Sequence, residues 1–388
     1  MTKNLLNTNV QDFIKKYSGD ISKLAFSGSP FDNIDTRELI EQIEGSLKAK
    51  GKLPSWFNSE GILYPPKLNI EQTSSEITAN YKASLIKGTT IADITGGLGV
   101  DSYFFAQSFK MVHHFEIDEV LSEIAQHNFK QLGRNNIECF AKDGMRQVMN
   151  SMYDVIYADP SRRHDIKGKV FFLKDCLPNI PENLSELMKH CNTLIIKTSP
   201  MLDITKGLSE LAGVFEIHIV AVNNEVKELL WLLRDGFSTS PLIRTINISK
   251  TVSEKFDFKM NDTANTVYAM PEQFLYEPNS ALLKSGAYEL LSAAFKVKKL
   301  HKHSHLYTSE SLKEFPGRRF TIENIVPYTK AAMRAGITFD KANISTRNFP
   351  ESVETIRKKW KIKDGGSQYL FFTTLENNQK TVLICSKI

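Results

Sequence analysis

Short apolar runs alternate with stretches of helical periodicity through the middle of this chain. The runs Thr90 to Asp93, Val112 to Asp118, Ile137 to Gly144 and Tyr153 to Asp159 have the length and β-branched or aromatic content of strands. Thr193 to Lys197 reads as a fifth strand, and Val214 to Val222 with Leu229 to Leu233 as a terminal hairpin. Between them, Ser102 to Ser108 can open a helix and Phe171 to Cys191 supplies another. This alternation predicts an α/β domain with a mostly parallel sheet and an antiparallel edge.

The flanks differ. Up to about Tyr64 the pattern is helical: Val10 to Ile14 opens one helix, and Asp35 is placed to cap another that begins at Thr36. Pro65-Pro66 interrupts it, and Ser74 to Ile86 reads as a helix leading into the first strand, with Ser75 and Glu76 at its start. The short β-type runs of Pro241 to Pro271 belong to no assigned unit. Tyr276 to Lys299 reads as a helix with a basic end, Phe315-Pro316-Gly317 as a boundary, and Phe320 to Ile388 as strand, helix, strand, helix, hairpin. No repeat or low-complexity tract interrupts this order.

Chemistry concentrates at the strand ends. Asp93-Ile94-Thr95-Gly96-Gly97-Leu98-Gly99 turns from a strand towards a helix on glycines, which let a ligand approach the backbone closely. Asp93 argues against pyrophosphate and for a cation, because a carboxylate repels the one and attracts the other. Glu116 ends the second strand about twenty positions after the glycines, where a carboxylate can accept both ribose hydroxyls. Asp143 ends the third, placed for an adenine edge, and Asp159-Pro160 ends the fourth. A ligand with an adenosine end and a cationic amino-acid end fits this set, which describes S-adenosylmethionine. The backbone amides at Ser75 and Glu76 are further candidates, for its carboxylate. A nicotinamide fingerprint starting at Gly97 would want glycine or alanine where Ser102 stands, and its strand rarely ends in a carboxylate.

On these residues the chain resembles the class I S-adenosylmethionine-dependent methyltransferases. Asp93, Gly97 and Gly99 match their acidic glycine-rich loop, with Thr95 replacing the first glycine. The wording Asp-x-Thr-x-Gly-x-Gly-x-Asp, ending at Asp101, is similar to bacterial ribosomal and transfer RNA methyltransferases. Glu71 to Glu76, Asp159 to Arg163, Lys197 to Asp203, Tyr276 to Asn279, Lys341 to Ile344 and Lys363 to Gly366 extend the resemblance. Together they point to the Bacteroidetes-type RNA methyltransferases that end in a ferredoxin-like segment and a THUMP-like domain. The resemblance implies four segments: a helical region over 1–70, a Rossmann-like methyltransferase domain over 71–273, a ferredoxin-like segment over 274–317 and a small α+β THUMP-like domain over 318–388. It also implies cofactor contacts from Asp93, Thr95, Gly97, Gly99, Glu116 and Asp143. Asp159 and Pro160 stand where amino-group methyltransferases hold the acceptor amine. Ser161 and Arg162 depart from the Pro-aromatic that follows there, so Arg162 is the candidate for stacking on a base or holding a phosphate. Pyrimidine C5 chemistry needs a cysteine after the fifth strand, and Thr198-Ser199-Pro200 offers no thiol.

Charge adds a partner. Of 49 Lys+Arg and 44 Asp+Glu in 388 residues, 18 and 8 fall from Lys296 onward, leaving 31 against 36 before it. Basic clusters at Lys296 to Lys299, Arg318-Arg319 and Arg357 to Lys361 suit a phosphate backbone, so structured RNA, ribosomal or transfer, is the expected acceptor. Basic modules also bind acidic proteins, which leaves a protein or small-molecule acceptor, or an RNA-binding factor without turnover, as alternatives. Four separated cysteines and a polar N-terminus without a long apolar run lead us to expect a cytoplasmic protein with reduced thiols and no membrane partner. His301, His303 and His305 would share one face of a strand; with no cysteine nearby, no metal is expected.

Overall fold

In the computed structural model, which describes residues 3–65, 67–162 and 172–388, the apolar runs become strands as their pattern predicts. The chain divides into two compact units, Met1–Ile217 with Lys227–Thr239, and His218–Val226 with Ser240–Ile388.

The first unit begins with helices Thr8–Lys16 (α1), Ile21–Ser27 (α2), Thr36–Lys52 (α3), Pro54–Asn58 (α4) and Lys67–Gln72 (α5). Asp35 caps α3 as expected, accepting from the amides of Arg37 and Glu38. Glu76–Ser84 (α6) leads into Gly88–Asp93 (β1), Val100–Phe105 (α7), Phe109–Glu116 (β2), Glu119–Gln131 (α8), Ile137–Ala141 (β3), Gly144–Val148 (α9) and Tyr153–Ala158 (β4). A two-residue antiparallel ribbon pairs Ser161–Arg162 (β5) with Cys176–Leu177 (β6). Ile180–Lys189 (α10), Cys191–Thr198 (β7), Ile204–Glu210 (α11), Val214–Val222 (β8), counted with the second unit from His218 on, and Glu225–Leu233 (β9), counted with the first from Lys227 on, follow. The helix expected over Phe171 to Cys191 is thus confined to α10: Asn179 caps it at the amide of Glu182, Pro181 sits in its first turn, and Phe171 lies outside the described residues.

Within this unit the strands lie in the order β9-β7-β4-β1-β2-β3. β1 is parallel to β2 and β4, β2 to β3, and β4 to β7, while β9 runs antiparallel to β7. The antiparallel edge is reached through Asn223-Asn224, both at positive φ, the backbone that a two-residue hairpin turn requires. Chain order reverses between β1 and β4, which opens a crevice beyond their carboxyl ends. The helical N-terminus belongs to the same unit. Gln42 on α3 exchanges two hydrogen bonds with the backbone of Tyr64, and Asn128 on α8 does the same with Leu63, so the 62–64 segment is clasped between them.

In the second unit, Leu242–Ile248 (β10) and Ser253–Lys259 (β11) pair antiparallel, which places the short runs after Pro241. Phe274–Pro278 (β12), Ser280–Ser285 (α12), Tyr288–Phe295 (α13), Lys298–Lys299 (β13) and Tyr307–Ser309 (β14) come next. The helix expected from Tyr276 therefore starts later and is broken. Tyr276 and Glu277 pair with β14 or the following strand, Asn279 caps α12 at the amide of Leu282, and Gly286 ends it in the left-handed conformation. The C-terminal part has the expected order: Gly317–Pro327 (β15), Lys330–Gly336 (α14), Asn343–Arg347 (β16), Val353–Trp360 (α15), Gln368–Thr374 (β17) and Lys380–Lys387 (β18). Its sheet runs β13-β14-β12-β15-β18-β17-β16. Alternation decides which side chain meets which face: Leu370, Phe372, Val382 and Ile384 join one cluster with Met333 and Ile356 of the helices, and Phe371, Leu383 and Cys385 join another with Leu275 and Phe320. The three histidines do not form a strand. His301 Nδ1 accepts from the amide of His303 within a turn, and His305 has φ +53°, so they share no sheet face.

Two loop glycines differ in what restrains them. Gly99 has φ +84° and a Cβ there would lie 2.2 Å from Cζ of Phe129, whereas Gly97, at φ +57°, has only the Thr95 carbonyl at 3.9 Å. Gly99→Ala should cost about 2–4 kcal/mol from backbone strain and overpacking together. Gly97→Ala should cost only about 1 kcal/mol, from strain alone. Urea unfolding of the two variants measures the difference; equal midpoints would show that Phe129 does not set the loop.

Candidate active site

The crevice at the strand ends is a cleft of about 1340 Å³ within the first unit. That exceeds the ~300–1,000 Å³ of common ligand pockets and leaves room for a cofactor and an acceptor group together. Asp93, Thr95, Gly97, Gly99, Glu116, Asp143, Asp159 and Pro160 all line it, so most of the residues singled out from the sequence meet there. Ser75 and Glu76 do not. Ser75 caps α6 at the amide of Thr78, and both oxygens of Glu76 accept from Ser55, from its amide at 2.6 Å and its hydroxyl at 2.7 Å. Gln72, Thr73 and Ser74 line the cleft in their place. Arg162 ends β5, but its side chain and all of Arg163 lie outside the described residues.

Each acidic residue is held by hydrogen bonds from the turns around it. Asp93 is buried, accepting from the amide of Thr95 at 3.2 Å and the hydroxyl of Ser102 at 2.7 Å. Burial pushes its carboxyl up to about 7, against the stabilising Ser102 bond and with the Asp101 charge adding to the rise. Glu116 accepts from the amides of Gly97 and Asp118, each at 2.8 Å, which ties the end of β2 to the glycine loop. Asp143 caps α9 through the amide of Met145 at 3.0 Å and pairs with Arg146 at 3.4 Å. Thr95, the departure from a glycine, has a function of its own: its hydroxyl accepts from the amide of Asp159 at 2.7 Å and locks the loop onto the end of β4. Behind the loop, Gly96 lies against the buried ring of His114, whose imidazole burial pushes down to about 4 and so keeps neutral.

Beneath the floor lies a charge cluster that no motif announced. Lys82 of α6, 1 % exposed, donates to both carboxylate oxygens of Glu228 at 3.0 and 2.9 Å and to the hydroxyl of Ser74 at 2.9 Å, and pairs with Asp101 at 3.1 Å. Asp101 also accepts from the hydroxyls of Ser74 and Tyr157 at 2.9 and 2.8 Å. Burial opposes its ionisation, but Lys82 and Lys197 outweigh that and hold its carboxyl below the usual range. Beside it, Lys197 at the end of β7 donates to Asp159. Burial likewise opposes the Lys197 charge, and the carboxylates of Asp159, Glu228 and Asp101 outweigh it, so Lys197 stays a cation. The signal was a lysine ending the apolar run Leu194-Ile195-Ile196, and a glutamate opening Leu229 to Leu233. At the mouth, Ile117, Leu177 and Met201 line the cleft although 73 %, 54 % and 76 % exposed, an apolar surface that water alone would not favour.

Strand order, glycine loop and acidic strand ends define a class I methyltransferase fold. A crystallised protein from Porphyromonas gingivalis W83, described provisionally as a methyltransferase, is 30% identical over 99% of this chain and 98% of its own, with a TM-score of 0.87. The chain belongs to that protein's family, the class I methyltransferases with a ferredoxin-like segment and a THUMP-like C-terminal domain. A ferredoxin-like domain family matches residues 274–316, and a THUMP domain-like family matches residues 317–387. A ribosomal RNA methylase from Streptococcus thermophilus is 16% identical over 41% of this chain and 93% of its own, with a TM-score of 0.31. A transfer RNA methyltransferase of M. jannaschii is 11% identical over 42% of this chain and 49% of its own, with a TM-score of 0.29. No protein of curated function matches the chain. No helix among the described residues is long and apolar enough to cross a membrane.

Lys82→Met should destabilise the protein by about 3–5 kcal/mol, because Glu228 and Asp101 would lose the buried cation that pairs with both. Pairing it with Glu228→Gln should recover part of that loss. Thermal unfolding of the two variants checks this, and a double variant no more stable than Lys82→Met would show that the lysine's stem, not its charge, matters.

Proposed function

We propose that this chain transfers a methyl group from S-adenosylmethionine to a base nitrogen of structured RNA, ribosomal or transfer. The observation that carries the reading is the cleft itself, which is lined by three acidic strand ends, an open glycine and Asp159-Pro160 together. The residues fit the cofactor. Space beside Gly97, where a Cβ would meet nothing nearer than 3.9 Å, lets a ligand reach the backbone, and the donor set is acidic, as a cationic ligand requires. Asp93 would orient the ammonium end with Thr95 and Gly99 shaping its turn, Glu116 would take the ribose hydroxyls, and Asp143 the adenine edge. Each oxygen of Glu116 accepts one amide and keeps a second acceptor position. When bound, S-adenosylmethionine supplies a methyl carbon on a sulfonium; its transfer to an amine leaves a neutral thioether and releases one N–H proton.

The acceptor side favours a base. Asp159 and the Pro160 turn offer oxygens to an exocyclic N–H, and the apolar Leu177 and Met201 can flank a planar ring. Positioning and electrostatics then supply the rate, since no covalent intermediate is required. Arg162 and Arg163 are candidates for a neighbouring base or phosphate. RNA is supported by the second unit. Met333 and Ile356 turn α14 and α15 inward, and Lys330, Arg334, Lys341, Lys358, Lys361 and Lys363 are exposed around them. Other basic residues there are structural: Arg318 and Arg347 pair with Glu277, and Arg357 with Asp364. The four segments 1–70, 71–273, 274–317 and 318–388 are our proposed division of labour, with cofactor chemistry in the second and RNA docking in the last two.

Cofactor binding should depend on pH through Asp93. Its carboxyl sits near 7 in the folded protein, above its unfolded value near 4, and an ammonium group favours the ionised form. Affinity for S-adenosylhomocysteine should therefore rise as pH climbs from about 6 to 8, at most tenfold per unit below 7. Stability of the free protein should fall between about pH 4 and 7, because the folded state holds a proton that the unfolded chain releases. Calorimetry across that range tests both, and undiminished binding by Asp93→Ala and Glu116→Ala would sink the assignment.

For the acceptor, mass spectrometry of RNA nucleosides from a deletion strain should show loss of one N-methylated purine. Loss of a C5-methylpyrimidine instead would overturn the base-nitrogen reading. Unchanged RNA nucleosides would remove RNA as the acceptor.

A further inference from the structure

We infer that Lys197 is a positioning residue that sets what the acceptor site can hold, an inference that rests on the proposed transfer to RNA. Strands β4 and β7 are paired in register, Ala158 opposite Ile196, so Asp159, just past the end of β4, and Lys197, near the end of β7, come side by side at the cleft. The Lys197 ammonium bonds Oδ2 of Asp159, and no other side-chain hydrogen bond reaches that carboxylate among the described residues. Oδ1 is the oxygen that we assign to an incoming donor. The amide of the same residue is fixed by Thr95, so both ends of Asp159 are held.

The consequence is chemical. An unpaired carboxylate at this position would attract any cation, including the side chains of lysine or arginine on a protein. Paired with the Lys197 ammonium, which the neighbouring Glu228 and Asp101 keep charged, it offers a hydrogen-bond acceptor whose own charge is offset by its partner. Such a site selects a neutral N–H, the edge that guanine and adenine present, and rejects ammonium and guanidinium groups. Amino-group methyltransferases use Asn or Asp at the corresponding position, and here lysine gives the aspartate the neutrality of an asparagine. Lys197 touches no reacting atom in this scheme; it acts through Asp159.

The pairing makes a specific prediction for four variants of the full chain, assayed with S-adenosylmethionine and total RNA from a deletion strain. Lys197→Met and Asp159→Asn should each lower kcat roughly 30–300-fold, the scale of losing one oriented hydrogen-bonding group, with KM for RNA within about twofold because docking lies elsewhere. The double variant Asp159→Asn with Lys197→Met should recover to within about tenfold of the wild type, since a neutral asparagine needs no counter-charge. Lys197→Arg should retain more activity than Lys197→Met. Binding of S-adenosylhomocysteine, unchanged in all four, confirms that the cleft is intact. If the wild type methylates RNA but the double variant is no better than the worse single one, or Lys197→Met keeps full kcat, the positioning role is wrong while the function stands. If the wild type transfers no methyl to RNA, the proposed function fails and the inference fails with it.

Discussion

The first unit depends on burying charge where strands converge. Lys82, Asp101, Glu228, Lys197 and Asp159 lie on α6, α7, β9, β7 and the turn after β4, five pieces far apart in the chain. Ions removed from water cost several kcal/mol each, and their mutual attraction repays that only when geometry and hydrogen bonds are complete. Here they nearly are: Lys82 is met by two carboxylates and a hydroxyl, and Asp101 by a lysine and two hydroxyls. The arrangement tolerates little displacement of any strand end, so the crevice has a defined shape before any ligand enters.

The same constraint joins the two halves of the cleft. The loop that faces the proposed cofactor and the turn that faces the proposed acceptor are linked by Thr95 to Asp159, and the loop is linked to β2 by Gly97 to Glu116. A hydroxyl at position 95 is therefore not a failed glycine but a strut. Reactions that rely on orientation rather than covalent chemistry need such rigidity, because a displacement of about 1 Å between reacting groups can cost a hundredfold in rate.

The second unit follows other rules. Its central strands β17 and β18 are buried on both faces, and Glu277, itself buried, consumes two arginines. Net charge overstated its free basic surface for that reason. What remains exposed is grouped on and beside two helices, where a phosphate backbone can reach several cations together.

Local pattern was enough to determine the long strands of the first unit, though not the two-residue β5 and β6, and with them the glycine loop, the acidic strand ends and the order of elements after Phe320. Each rests on periodicity and turn chemistry within a few residues. Pattern failed where a neighbour decided the outcome: Tyr276 lies in a strand because β15 pairs with it, and the histidines after Leu300 turn because they connect the antiparallel strands β13 and β14, with the amide of Leu300 bonded to the carbonyl of Leu306. Ser75 and Glu76 read as cofactor contacts because they open a helix beside the loop, yet the fold spends them on capping and on Ser55. Lys82, Glu228 and Lys197 were invisible for a deeper reason. A charged residue in an apolar run has no meaning until its partner is known, and only tertiary structure brings residues 146 positions apart, as Lys82 and Glu228 are, within a hydrogen bond.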